Sequence, residues 1–309
     1  MSSATIFAAL QTNASSNQYL LPVDATEKER LDIMHTMILA AVPKPKRLHH
    51  APFTGQRDPG TGEFPRVLDL GFGTAMWLLD MAEKYGETEF YGVDIANMAP
   101  SQLYHNIDLR TPIDYESPWA LGESSFDYIH MQMGLGSVGN WRLLYDRIYK
   151  HLKPGGWFEH VEIDWKPDCE DGTLPNGKLR DWWSTYVGPP FSAVGRSMFY
   201  DPNTGSTLAE RGFTKIECNS YQIPMNGWSG DRRKHVSGIW WENAMGSGEG
   251  RGYGFEAMSL AVLTRFQGWS PEHARRLCAE AMAEASNPAI HAFVTLYVWI
   301  AQKPVDAPR

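Results

Sequence analysis

Val67-Leu68-Asp69-Leu70-Gly71-Phe72-Gly73-Thr74-Ala75 is the stretch on which the fold turns. The apolar run Arg66 to Leu70 reads as a strand, and Ala75 to Tyr85 reads as the helix that follows it. Between them the chain reverses within a few residues. Glycines at 71 and 73 let the backbone approach a ligand where a Cβ would obstruct it. In dinucleotide-binding folds that space holds a pyrophosphate on the helix N-terminus. Here the acidic Asp69 stands just before the turn. A carboxylate repels phosphate but holds the ammonium group of an amino acid, directly or through water. The pattern therefore favours S-adenosylmethionine over a nicotinamide cofactor.

Outward from the turn, strands and helices alternate. The second strand, Glu89 to Ile95, ends in Gly92-Val93-Asp94-Ile95, about twenty residues on, and sets Asp94 and Ile95 where ribose hydroxyls are bound. A turn glycine or a capping Asp alone is ordinary; the two in register are hard to reach by accident. A weaker third strand, His105 to Leu109, leads to Asp114-Tyr115-Glu116. Asp114 is placed to accept from an adenine amino group, and Tyr115 or Trp119 to pack on the ring. After Pro112, however, Asp114 by itself reads as readily as a turn residue. The fourth strand, Phe126 to Met133, alternates so that Asp127, Ile129 and Met131 face one way and Tyr128, His130 and Gln132 the other. Its end brings Met131 and Gln132 to the cleft. A helix from Asn140 to Leu152, the turn Lys153-Pro154-Gly155-Gly156 and a fifth strand, Trp157 to Ile163, complete the pattern. Such alternation predicts a parallel sheet wrapped by helices on both faces.

Upstream, residues 1–18 read as a mobile, disordered tail. Asp24 with Glu27 predicts a capped helix over Ala25 to Ala41, ended by Pro43 and Pro45, so residues 19–64 form a helical cap and linker. Downstream, Ala209 to Ile223 and Ile290 to Lys303 read as two late strands, with a helix starting at Ser270-Pro271-Glu272 between them. A late strand pair is the ending expected of a methyltransferase sheet. The expectation is an α/β, Rossmann-like, mostly parallel seven-stranded sheet over residues 65–303, with helical lid insertions at about 164–208 and 226–288.

Bulk properties narrow the class. A net charge of −8 over 309 residues argues against direct nucleic-acid binding. The three cysteines, Cys169, Cys218 and Cys278, have neither metal-ligand nor disulfide spacing, which fits a reducing compartment. Without a signal-peptide pattern or an apolar run of bilayer length, a soluble intracellular protein with no membrane association is expected. No metal is expected either, because Asp168, Glu170 and Asp171 read as a solvated acidic loop. The tryptophans Trp165, Trp182, Trp183, Trp228, Trp240 and Trp241 suit a flat substrate or a partner face, although core packing explains most of them. For catalysis the candidates are His130, His160 and Glu162, near the ends of strands four and five, as proton acceptors. A packed histidine with a satisfied hydrogen bond is the commoner role for each imidazole.

The glycine turn, Asp94, the run Asp114-Tyr115-Glu116-Ser117-Pro118-Trp119 and Leu152-Lys153-Pro154-Gly155-Gly156 resemble class I methyltransferases. More narrowly, Trp119-Ala120-Leu121-Gly122-Glu123, Ile129-His130-Met131-Gln132-Met133-Gly134 and Trp157-Phe158-Glu159-His160-Val161-Glu162-Ile163-Asp164 closely resemble the fungal LaeA-like methyltransferase family. Leu21-Pro22, Asp24, the run Glu29 to Ile33, His35 and Ile290-His291-Ala292 fit as well, so the likeness spans about residues 19–303. The resemblance implies an S-adenosylmethionine-dependent methyltransferase that regulates fungal secondary metabolism and development. It also implies a nuclear or cytoplasmic location and velvet-family regulatory partners. Non-catalytic or weakly catalytic partnership with those proteins, and a small-molecule biosynthetic methyltransferase, stay open beside it. The expected cofactor residues are Asp69, Gly71, Phe72, Gly73, Asp94, Ile95, Asp114, Tyr115 and Met131; the acceptor is not specified. One departure stands out: the family's turn reads Gly-x-Gly-Thr-Gly, whereas Ala75 and the bulky Phe72 stand here. Both are expected to tighten the pocket and weaken cofactor binding.

Overall fold

The strand of the glycine turn, β1 (Arg66–Leu70), lies at the middle of a seven-stranded sheet in the computed structural model, which describes residues 19–307. Around it lie β2 (Glu89–Val93), β3 (Ile107–Arg110), β4 (Phe126–Gln132), β5 (Leu152–Asp168), β6 (Thr214–Pro224) and β7 (Phe293–Gln302). The order is β3-β2-β1-β4-β5-β7-β6. The first five strands run parallel, and β7 runs antiparallel to both β5 and β6. β1 and β4 are buried along almost their whole length, as expected of parallel strands covered on both faces. The chain turns outward on both sides of β1, so a ligand crevice opens at the carboxyl ends of β1 and β4. The disordered tail expected over residues 1–18 lies outside the described residues.

The helices start where their caps stand. Asp24 accepts from the Glu27 amide at 2.9 Å to open α1 (Ala25–Ala41). The glycine turn leads into α2 (Met76–Lys84), and Asn140 caps α3 (Trp141–His151) through the Leu143 amide. After β5 come short helical segments, α4 (Lys178–Asp181), a π-helical turn (Trp182–Val187) and α5 (Gly188–Ala193), and then α6 (Thr204–Glu210). Between β6 and β7 lie α7 (Arg232–Met245), α8 (Gly254–Ala261) with a π-helical extension (Val262–Phe266), and α9 (Pro271–Ala285). Ser270 caps α9 with Pro271 at its first position, as the sequence signal predicts.

Several boundaries differ from the sequence reading, including those of β3 and β7, which span Ile107–Arg110 and Phe293–Gln302. Ala209 belongs to α6, and the strand begins only at Thr214, because Gly212 at φ +93° breaks the run. β5 takes in the Lys153–Gly156 turn and runs on to Asp168, drawn out by pairing with β7. β2 stops at Val93, which leaves Asp94 and Ile95 in the loop beyond it. Helices α7 and α8 lie within the helical insertion expected over about 226–288, whose polar and Gly-rich sequence marks no boundary for either. Trp165, Trp182, Trp183 and Trp241 are all buried in one cluster with α1 and the late helices. Core packing is therefore the role of Trp182, Trp183 and Trp241, at about 1.5–3 kcal/mol for each large apolar side chain withdrawn from water. Among the described residues, no helix is long and apolar enough to cross a membrane.

Candidate functional site

A cleft of about 270 Å³ opens at the carboxyl ends of β1, β2 and β4 and is lined by Asp69, Gly71, Phe72, Gly73, Asp94, Ile95, Asp114, Tyr115 and Met131. The structure thus brings together every residue expected at the cofactor. The glycine turn is built from left-handed backbone: Gly71 at φ +74°, Gly73 at +53° and Ala75 at +63°. A Cβ on Gly71 would come within 3.3 Å of the Tyr115 ring, and one on Gly73 within 3.3 Å of Leu31. The glycines therefore leave a shallow cradle between the turn, the Tyr115 loop and α1.

Asp94 holds this cradle in shape. Its Oδ2 accepts from the Gly73 amide at 2.8 Å, and its Oδ1 from the Ala96 amide at 2.9 Å. Burial pushes its carboxyl above the usual aspartate range; those amides pull the other way, and the neighbouring Asp69 adds to the rise. Asp69 faces the same cleft and is 3% exposed. Its Oδ1 pairs with His130 Nδ1 at 2.8 Å, and the His130 ring lies flat on Trp77, 3.7 Å between centroids and 6° from parallel. Facing a carboxyl oxygen, Nδ1 is the ring nitrogen suited to donate. On the adenine side, Asp114 closes a local turn through the Glu116 amide at 2.8 Å and remains exposed at the rim. Burial raises the Tyr115 phenol well above its usual value, so it stays neutral.

The other sequence candidates divide. His130 lines the cleft, whereas His160 and Glu162 do not. His160 is packed against Trp141, 4.8 Å between ring centroids, with its Nδ1 3.3 Å from the Tyr145 hydroxyl. Glu162, 1% exposed, accepts from the amides of Gly134, Leu135 and Ile163 at 2.8, 3.0 and 3.0 Å. It pins the loop after β4 and is spent on structure. Trp119 also leaves the adenine reading: its indole donates to the Tyr115 carbonyl at 2.8 Å and its ring packs on His151. Nor does Ala75 crowd the cleft, since its methyl is buried beneath the turn. Phe72 lies over Gly92, where a Cβ would come within 2.8 Å of its ring, so that glycine gives the bulky side chain its room.

Several lining residues escaped the sequence. Tyr19, Glu27, Arg30, Leu31 and His35 reach the cleft from the N-terminal segment and α1. Glu27 and Arg30 form a bidentate pair at 2.7 and 2.5 Å, with side chains 2% and 5% exposed. Burial opposes the Arg30 charge, but the carboxylate of Glu27 outweighs it and raises the guanidinium above its usual value. An acidic–basic pair three residues apart amid apolar positions was the available signal. Arg196 and Met198 come from the segment after α5, and Met258 from α8. Arg196 joins Glu116 and the Ser137 carbonyl, while Glu116 takes the amides of Gly139 and Asn140 at 2.8 and 2.9 Å. No local pattern marks these.

The cradle suits S-adenosylmethionine: close backbone at Gly71 and Gly73, an acid rather than a cation beside the turn, and a second acid at the end of β2. Residues 31–217 match the family described as "Methyltransferase domain". The chain is 38% identical over 93% of its length to the secondary metabolism regulator LAE1 of Cochliobolus heterostrophus, covering 90% of that protein. It is 40% identical over 93% to the secondary metabolism regulator laeA of Monascus pilosus, covering 74% of it. To the Emericella nidulans protein named protein-methionine methyltransferase laeA it is 37% identical over 93%, covering 73% of that protein. With the glycine cradle and its two acids in place, these relationships fix what the fold is for: the chain belongs to the laeA family of S-adenosylmethionine-dependent methyltransferases.

Proposed function

We propose that this enzyme transfers the methyl group to the thioether sulfur of a protein methionine, and that it acts as a regulator of secondary metabolism. The observation that carries the acceptor reading is the way the lining imidazoles are engaged. His130 is tied to Asp69, and His35 to Asp80 at 2.9 Å. The remainder of the lining is rich in thioether and aromatic surface, including Met133, Met198, Met258 and Trp165. A hydroxyl or ammonium acceptor needs a group that removes a proton. A thioether needs none.

S-adenosylmethionine, when bound, supplies an electrophilic methyl group on a sulfonium. A thioether sulfur would take that methyl through its own lone pair, with the pair of the broken bond left on the donor sulfur, so the residues of the cleft would have no proton to move. The chain's part is then alignment and exclusion of water. In this reading Asp69 would hold the amino end, Asp94 the ribose and Tyr115 the adenine side. The apolar wall around Met198 and Met258 takes the acceptor side chain, and the faces of Trp165 and Tyr19 suit positive charge on sulfur. The name of the Emericella nidulans relative supports this reading, and the names of the others support the regulatory role. A velvet-family partner and a nuclear or cytoplasmic location complete the proposal.

The test is incubation of the purified protein with methyl-labelled S-adenosylmethionine and fungal protein extract, followed by hydrolysis and amino-acid analysis. Label in S-methylmethionine, released as dimethyl sulfide by hot alkali, is the expected result. Label on lysine, arginine or a carboxylate would contradict the acceptor assignment. Label in a small molecule alone would favour a biosynthetic enzyme.

A further inference from the structure

Asp69, His130 and Glu159 occupy matching positions on three neighbouring strands. The β1–β4 register sets Asp69 against His130, and the β4–β5 register sets His130 against Glu159. In-register neighbours on parallel strands, about 4.8 Å apart, share one face of the sheet. The three therefore form a lateral row, with exposures of 3%, 1% and 1%. The row is covered by Trp77 of α2, stacked on the His130 ring, and by the segment around His50. Glu159 is outside the cofactor cleft. Its Oε2 accepts from the amides of His50 and Ala51 at 2.7 and 3.0 Å, its Oε1 lies 3.6 Å from His50 Nδ1, and the His50 ring reaches the Tyr221 hydroxyl at 2.9 Å. Glu159 and His130 also face a common small cavity of about 10 Å³.

A carboxylate buried this deeply is costly unless it is matched by hydrogen bonds and opposite charge. Burial works to raise the Glu159 carboxyl, but the hydrogen bond from His50, the electrostatic influence of the neighbouring His130 and His50 rings and the Ala51 amide outweigh it and hold the group below its usual range. His130 thus stands between two acids, one in the cleft and one behind it. Which ring nitrogen carries a proton is set by the groups on either side of the ring, so a buried carboxylate on the next strand bears on how firmly His130 donates to Asp69. The chemistry described for methyl transfer makes no use of Glu159, yet Glu159 is the buried acid set beside His130 on the next strand, in register with the Asp69–His130 pair.

We propose that Glu159 is a positioning residue for the cofactor, acting through His130 to hold the Asp69 carboxylate toward the amino end of S-adenosylmethionine. This rests on the reading of the cleft as the cofactor site. The Glu159→Gln variant keeps an oxygen for the His50 and Ala51 amides and replaces the charge with a group that donates toward the imidazoles. Its affinity for S-adenosylmethionine should fall about tenfold, a free-energy difference of about 1.4 kcal/mol. The His130→Asn variant keeps a donor for Asp69 but cuts the link, so adding Glu159→Gln to it should change the affinity no further.

The experiment is calorimetric titration of S-adenosylmethionine into the intact protein, both single variants and the double variant, with thermal melts beside each. Weaker binding by folded Glu159→Gln, together with its disappearance as an effect in the His130→Asn background, supports the proposal. Unchanged affinity in Glu159→Gln, or equal losses in both backgrounds, would assign Glu159 a structural role and overturn it. If Glu159→Gln does not fold, the comparison passes to Glu159→Asp, where a partial loss confined to the His130 background is expected and an equal loss in both overturns the idea. Failure of the intact protein to bind would instead remove the cofactor reading itself, and the inference with it.

Discussion

Ala75 occupies a left-handed backbone conformation, at φ +63°, where the family pattern has glycine. Such a conformation costs an L-residue about 1–2 kcal/mol. Against that, its methyl is fully buried, contributing about 0.8 kcal/mol, and glycine would lose about 0.5–1 kcal/mol more chain entropy on folding. These nearly cancel. Ala75→Gly should therefore change stability by less than about 1 kcal/mol in a denaturant titration, and leave S-adenosylmethionine affinity unaltered, because the methyl points beneath the turn. The sequence showed that this residue was unusual but not which way it faced. Asp94 carries a second prediction. Its carboxyl is raised above 3.8 by burial, so in the folded protein it takes up a proton at higher pH than in the unfolded chain. Its own contribution to stability is therefore greatest below the unfolded value and is lost as pH rises through the folded one. Cofactor binding needs the opposite form. Titrations at successive pH values should show affinity falling on acidification above the range of an ordinary aspartate, while the fold persists. An affinity constant down to pH 4 would contradict the role given to Asp94.

Elements were legible where one strong local signal set them. Asp24 and Ser270 mark helix starts, and the turn at Gly71 and Gly73 fixes β1, α2 and the position of the cleft. Where the deciding partner is remote in sequence, the reading failed. β5 extends to Asp168 because β7, more than a hundred residues later, pairs with it. Glu162 shows the same limit at the site: a carboxylate near the end of a strand reads as catalytic until the loop it pins is seen. Glu162→Ala would orphan three backbone amides in the interior, at about 1–3 kcal/mol each. A stability loss of at least about 3 kcal/mol in denaturant unfolding is expected. A loss below about 1 kcal/mol would mean that Glu162 does not hold the Gly134–Leu135 loop.

At the scale of the molecule, the cleft is finished by segments far from the strands that found it. α1 brings Glu27 and Arg30, the stretch after α5 brings Arg196, and α8 brings Met258. Strand order and the acid-bearing ends of β1 and β2 follow from local pattern, but these closures depend on packing between distant helices, which no single window of sequence contains. Removing one partner of the buried Glu27–Arg30 pair leaves a desolvated charge, a change that costs about 3–5 kcal/mol. Glu27→Ala should thus lower the melting temperature and weaken cofactor binding together, whereas a change in neither would place the pair outside the working cleft. The central claim is that Asp94 and the glycine turn form an S-adenosylmethionine site in this chain. Its most direct test is calorimetric titration of the intact protein with S-adenosylmethionine beside the Asp94→Ala variant. Micromolar binding by the intact protein, lost in a variant that still melts cooperatively, is the predicted result; equal binding by both, or none by the intact protein, would contradict the account.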